Sequence, residues 1–141
     1  IPATGFYEWR KLGKERIPTY ITLRNQEPFA FAGLWDTWKS PSGELVESCT
    51  IITTKSNSLI APIHDRMPVI LSEEAESLWL SPPNDKYEVL TSLLTPFPEG
   101  SMRAYEVSKQ VNSPRNDNPT CIEPAIQKPN IFDNFFSEEA H

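Results

Sequence analysis

Pro28-Phe29-Ala30-Phe31-Ala32-Gly33-Leu34-Trp35 carries apolar side chains at odd and even positions alike. That is the pattern of a strand covered on both faces, not of one half-turned to water. Before it, Tyr20-Ile21-Thr22-Leu23 is a further β-type run. Earlier still, Thr4-Gly5-Phe6-Tyr7-Glu8-Trp9-Arg10 is rich in aromatics and leads into a polar turn through Lys11-Leu12-Gly13-Lys14. After it, Pro41-Ser42-Gly43 turns the chain into residues 46–54, which are rich in β-branched side chains. Four strands in succession predict an antiparallel meander or partial barrel, with the Pro28 run central. Ser72 is placed to cap a helix reaching about Leu80, and Glu73 and Glu74 sit in the first turn, where the helix dipole favours acids. Asn84-Asp85 predicts a second helix, to about Leu94, by the same logic. Residues 102–107 read as a late strand, 111–122 as an ordered loop and 129–141 as a mobile polar tail. The expected fold class is therefore α+β, β-rich, with antiparallel sheets and a few short helices, as one domain over residues 1–128.

The totals agree with one domain. A chain of 141 residues can build one real core. Its 38% apolar fraction is modest, but 15 aromatic residues each bury a large area, and 14 prolines against 5 glycines point to many short segments. No apolar run of about 18 residues is present and no signal-peptide pattern opens the sequence, so no membrane partner is expected and the protein is read as cytoplasmic; a monomer is expected. Cys49, Cys121, His64 and His141 are too few and too scattered for a standard zinc site, so neither metal nor cofactor is expected, and both cysteines read as reduced and buried. The net charge of −6 argues against a generally basic nucleic-acid binder. Yet residues 1–70 hold eight Lys/Arg against seven Asp/Glu, and residues 71–141 five against twelve. A DNA-facing surface, if the protein has one, is therefore expected on the first half.

Two clusters carry candidate chemistry. In Gly5-Phe6-Tyr7-Glu8-Trp9, strand alternation sends Phe6 and Glu8 to one face and Tyr7 and Trp9 to the other. A carboxylate among aromatics loses solvation, which raises its pKa and suits it to proton transfer; the plainer reading is a glutamate facing water on a half-exposed strand. In Ile63-His64-Asp65-Arg66-Met67-Pro68, an imidazole stands beside a carboxylate and a guanidinium whose fork suits a phosphate. The plainer reading is a structural corner with Asp65 capping a turn and Arg66 paired to it. G-x-S-x-G, H-E-x-x-H, Walker and G-x-G-x-x-G patterns are missing from the sequence. Cys49 is a weak nucleophile candidate, because Cys49-Thr50-Ile51-Ile52 is the setting of a buried, inert thiol.

Gly5-Phe6-Tyr7-Glu8-Trp9, Gly33-Leu34-Trp35, Thr50-Ile51-Ile52-Thr53-Thr54, His64-Asp65-Arg66-Met67-Pro68 and the late Val107-Ser108, Val111-Asn112 and Cys121-Ile122-Glu123-Pro124 occur in an order and spacing that resembles the SOS-response-associated peptidase (SRAP) family. The resemblance runs from Ile1 to about Pro124. It implies a DNA-damage protein that crosslinks to abasic sites in single-stranded DNA, through an N-terminal cysteine whose amine and thiol close a thiazolidine on the opened sugar. By the same resemblance Glu8 and His64 are the active-site glutamate and histidine, implicated in sugar ring opening, Schiff-base chemistry and adduct release, while Trp9 stacks against a base, Arg66 pairs with a phosphate, and Thr53 reaches the sugar or its adduct. This chain starts at Ile1, where the family's Cys-Gly-Arg start is not found, and mid-chain Cys49 and Cys121 have no free α-amine. The cysteine segment is therefore expected to precede Ile1, and these residues alone are expected to be inactive in crosslinking.

Two other readings stand beside that one. A non-covalent single-stranded DNA module would use Trp9, Arg66 and the basic turn Arg10, Lys11, Lys14 and Arg16. A peptidase would use Glu8 and His64 but has no identified nucleophile, which limits it to self-processing. In the tail, Phe132-Asp133-Asn134-Phe135-Phe136 resembles peptides that dock on sliding clamps, with Pro129 where those peptides carry glutamine.

Overall fold

A computed structural model describes residues 1–81 and 87–125. Its elements in chain order are β1 (Pro2–Ala3), β2 (Phe6–Leu12), β3 (Glu15–Leu23), β4 (Phe29–Phe31), β5 (Gly33–Lys39), β6 (Leu45–Ile51), β7 (Thr53–Lys55), β8 (Arg66–Pro68) and β9 (Ile70–Leu71). Helices α1 (Glu73–Leu80) and α2 (Tyr87–Ser92) follow, then β10 (Met102–Glu106), with short 3-10 turns at Glu99–Ser101, Lys109–Asn112 and Pro119–Ile122. The strands form small antiparallel sheets, β1-β4-β9, β10-β3-β2, β5-β6 and β7-β8, which do not close into a barrel. No described helix is long and apolar enough to cross a membrane.

The first hairpin follows from its turn. Leu12 faces Glu15 in register, so only Gly13 and Lys14 make the connection, and Gly13 has φ +59°. A positive φ at the first central position suits the right-handed twist of the flanking strands and costs glycine little. Lys11 and Leu12, read from sequence as turn, thus extend β2 instead. The third strand is covered on both sides by β2 and β10, and Pro18 through Leu23 are all buried.

The Pro28–Trp35 run is not one strand. It breaks at Ala32, which donates its amide to the Val69 carbonyl (2.9 Å). Val69 donates to Ile52 and Ile52 to Ala32, again at 2.9 Å each. These single residues separate β4 from β5, β6 from β7 and β8 from β9. The ring of three hydrogen bonds satisfies backbone groups that would otherwise be stranded as each segment changes partner. On one side of this junction β4 is central, between β1 and β9, with Phe29 and Phe31 in the core. On the other side, among the described residues, β5 pairs only with β6, and Trp35 is 75% and Trp38 59% exposed. Cys49 lies on that same hairpin and is exposed, which corrects the expectation of a buried thiol: its apolar neighbours face solvent too. Cys121 is buried, as expected.

One core cluster joins Ile21, Leu23, Phe29, Phe31, Ile60, Met67, Ile70 and Met102, with Phe6 and Ile63 packed against it. A second holds Ala32, Val69, Leu71 and Ala75 under Trp79. The Ser72 hydroxyl accepts from the Ala75 amide (3.3 Å), so the first helix starts where its cap places it. The second helix ends at Ser92, and Leu93 and Leu94 continue it as tighter i to i+3 turns. Its expected start at Asn84-Asp85 lies outside the described residues, as does the 129–141 tail with its clamp-like pattern.

Candidate functional site

The two predicted clusters meet in one cleft of about 590 Å³, lined by Glu8, Trp9, Lys11, Arg16, Pro62, Ile63, His64 and Asp65. One wall is the β2–β3 hairpin. The alternation along β2 is as the pattern predicts. Phe6 turns inward and meets Phe31 edge-to-face at 5.8 Å, while Tyr7 and Trp9 share the opposite face with ring centroids 6.3 Å apart. Glu8 therefore follows Phe6 on the face that borders the core, and its carboxyl is half-buried. Burial raises its pKa above the ordinary 4.5, and the charge of His64 across the cleft offsets this in part. A carboxyl so placed holds its proton to higher pH, which suits it to proton transfer.

The other wall is the turn that delivers His64. The buried Asn57 anchors it: its amide donates to the Phe97 carbonyl (2.7 Å), and its Oδ1 accepts from the Ile60 amide (3.1 Å). Ile60 is fully buried, and its carbonyl accepts from the His64 amide (2.9 Å). His64 Nδ1 accepts from the Arg66 amide (3.0 Å) and also lies 3.1 Å from the Arg66 carbonyl and 3.3 Å from Asp65 Oδ1. With Nδ1 bare the ring is held by the Arg66 amide; with a hydrogen on Nδ1 it is held by the Arg66 carbonyl and Asp65, and in the neutral ring this second tautomer leaves Nε2 free to accept a proton.

Arg66 and Thr53 come together on the β7–β8 pair. The guanidinium does not pair with Asp65. Its Nη2 donates to Thr53 O (2.5 Å) and Oγ1 (3.0 Å), and its Nε reaches the same Oγ1 at 3.3 Å. Neither residue is among those lining the Glu8–His64 cleft; together they form a polar ledge on the β-ladder next to the histidine loop.

Several residues here escape the motif reading. Asn112 accepts from Trp9 Nε1 at 2.7 Å and so orients the indole. Within the basic turn, Arg10 is paired with Glu106, whereas Lys11 and Arg16 face the cleft. Asn57 carries no local signal at all. Gly5 is required by contact: a Cβ there would lie 2.3 Å from the Tyr20 ring and 2.7 Å from the Ile21 carbonyl. Among the described residues no group of three His, Cys, Asp or Glu is placed to hold a metal ion.

Comparison with known proteins supplies a setting for this geometry. Residues 1–114 match the model of a family described as SOS response associated peptidase (SRAP). The abasic site processing protein YoqW of Bacillus subtilis is 52% identical over 124 residues, covering 87% of this chain and 55% of that protein. The abasic site processing protein HMCES of Xenopus tropicalis is 36% identical over 141 aligned residues, 85% of this chain and 41% of that protein. Among solved structures, a Bacteroides thetaiotaomicron protein superimposes with a TM-score of 0.80 at 40% identity, over 89% of this chain and 56% of that one. The chain thus spans about half the length of the relatives it matches.

Proposed function

Because this chain belongs to the SOS response associated peptidase family, we propose that it supplies the acid–base pair and part of the DNA-contacting wall of an abasic-site processing protein. The observation that carries this reading is the meeting of Glu8 and His64 in one cleft, beside an aromatic side chain and two cations. The substrate is an abasic deoxyribose in single-stranded DNA. Protonated Glu8 gives its proton to the ring oxygen O4′ as the C1′–O4′ bond breaks, and His64 takes the proton of the C1′ hydroxyl, which leaves the aldehyde. An α-amine then adds to the aldehyde carbon, and the hydroxyl so formed departs as water with a proton from the same pair. A thiolate on the amine's own residue adds to the resulting iminium carbon and closes a thiazolidine.

Neither Cys49 nor Cys121 carries a free α-amine. The aminothiol is therefore assigned to the family's N-terminal cysteine, and residues 1–141 to proton management and DNA contact. Trp9 stacks on a base flanking the lesion, Arg66 binds a phosphate, and Thr53 holds the arginine fork and contacts the sugar side of the ledge. A peptidase with its own nucleophile fits less well, because among the described residues no Ser, Thr or Cys lines the cleft.

The test is full-length protein incubated with single-stranded DNA bearing one abasic site and resolved on a denaturing gel, alongside Glu8→Gln and His64→Ala. The expected result is a heat-stable slow band, formed more slowly by both variants. A full-length folded protein that forms no such band would overturn the reading and leave non-covalent DNA binding as the better account.

A further inference from the structure

The first hairpin places Lys11 and Arg16 directly opposite each other in register. Cross-strand partners project to the same face with Cβ atoms roughly 5 Å apart, and like charges so placed repel. Their neighbours are neutralised: Arg10 pairs with Glu106, and Glu15 with Lys109. Lys11 and Arg16 are both exposed, and no described carboxylate forms an ion pair with either. Both line the cleft that holds Glu8 and His64. Of the two carboxylates in that cleft, Asp65 lies 3.3 Å from His64 Nδ1 and Glu8 is biased toward its neutral form. Two unpaired cations held close together beside a largely compensated pair form a site that an anion completes, since one phosphate between them turns a repulsive pair into two attractive ones.

We propose that Lys11 and Arg16 clamp a single backbone phosphate of the DNA strand that carries the reacting sugar. The clamp fixes the strand's position on the hairpin wall, while the ledge of Arg66 and Thr53 lies on the side of the histidine loop. This assignment rests on the abasic-DNA reading of the cleft and adds which phosphate contact holds the strand there. With Cβ atoms roughly 5 Å apart on one face, the two side chains can reach the same phosphate.

The experiment measures binding of full-length protein to single-stranded DNA carrying a tetrahydrofuran abasic analogue, which cannot form the adduct, across a range of salt concentrations. Neutralising one phosphate contact on a single strand reduces the slope of log Kobs against log salt by about 0.7. The Lys11→Gln/Arg16→Gln protein is expected to lose about that amount, and Lys11→Arg to keep the wild-type slope. Replacing linkages near the lesion one at a time by uncharged methylphosphonate should then find one position that weakens wild-type binding and leaves the double variant unaffected. A double variant with the wild-type slope, or a scan in which no position distinguishes the two proteins, overturns the clamp while leaving the abasic-DNA reading standing. A wild-type protein that does not bind the DNA at all overturns both.

Discussion

Gly5→Ala tests how the fold holds its candidate site. No positive φ is involved at Gly5, so the backbone accepts alanine and the cost is purely one of space. The new methyl would lie 2.3 Å from both Cζ and Oη of Tyr20, against an ordinary carbon contact of 3.4 Å or more. The ring must retreat by about 1 Å, yet Tyr20 is 5% exposed and wedged between Tyr7 at 5.2 Å and Tyr105 at 5.8 Å. The alternative movement, of the methyl away from the ring, is blocked by the Ile21 carbonyl at 2.7 Å. Overpacking of this kind costs about 1–3 kcal/mol. For a domain of this size that is a fall in Tm of roughly 3–12 °C, measurable by thermal or urea unfolding of the full-length protein. Shortening the obstructing ring by Tyr20→Leu in the same protein should recover part of the loss, so the double variant should be more stable than the sum of the single effects allows. A Gly5→Ala protein within about 0.5 kcal/mol of wild type, or strict additivity with Tyr20→Leu, would refute the steric account.

Glu8→Gln separates the carboxyl's charge from its shape. Because burial raises the folded-state pKa above the ordinary 4.5, the folded protein holds more protons than the unfolded chain between those two values, and wild-type stability falls as pH rises through that window. Glutamine does not titrate, so the urea midpoint of the variant relative to wild type should rise as pH increases from the ordinary 4.5 through the raised folded-state value; a constant difference would mean the carboxyl is not perturbed. Asn112→Ala removes the acceptor that holds the Trp9 indole, and should weaken binding to abasic-analogue DNA several-fold while costing only about 0.5–1.5 kcal/mol of stability. Unchanged affinity with the stability loss present would assign Asn112 a purely structural part.

The parts of this fold that sequence revealed are those decided locally. Alternation along Gly5-Phe6-Tyr7-Glu8-Trp9 needs only the pleat, and the Ser72 cap needs only its own first turn. The break at Ala32 was hidden because its cause is a pair of hydrogen bonds to residues 52 and 69, far along the chain. Cys49 was misjudged for a related reason. A run such as Cys49-Thr50-Ile51-Ile52 has the composition of a core strand, and nothing within it states that its hairpin has only one partner strand and projects from the junction. In the site, Glu8 and His64 were visible because their residue types are rare among apolar neighbours. Asn112 and Asn57 were not, since a neutral amide gains its role from whichever group the fold brings to it. Lys11 and Arg16 were visible as charges but not as a pair, because the two-residue turn that sets their register is shorter than the four-residue turn the sequence suggested.

The geometry of the cleft is, in the end, a property of the core beneath it. Glu8 is two residues beyond Phe6, His64 one beyond Ile63, and Arg66 one before Met67, and all three anchors pack in the same cluster. Each polar side chain is thus held at one short backbone lever from a common apolar body, with the Phe6–Phe31 contact fixing one wall and Ile60 under the histidine loop fixing the other. Close packing transmits displacement instead of absorbing it. The separation of Glu8 and His64, the proposed acid and base, is therefore set largely by the apolar side chains beneath them, and proton transfer would be sensitive to shifts of a fraction of an ångström. Such an arrangement also lets the site face water without loosening, since the groups that must stay accessible are not the groups that hold the position.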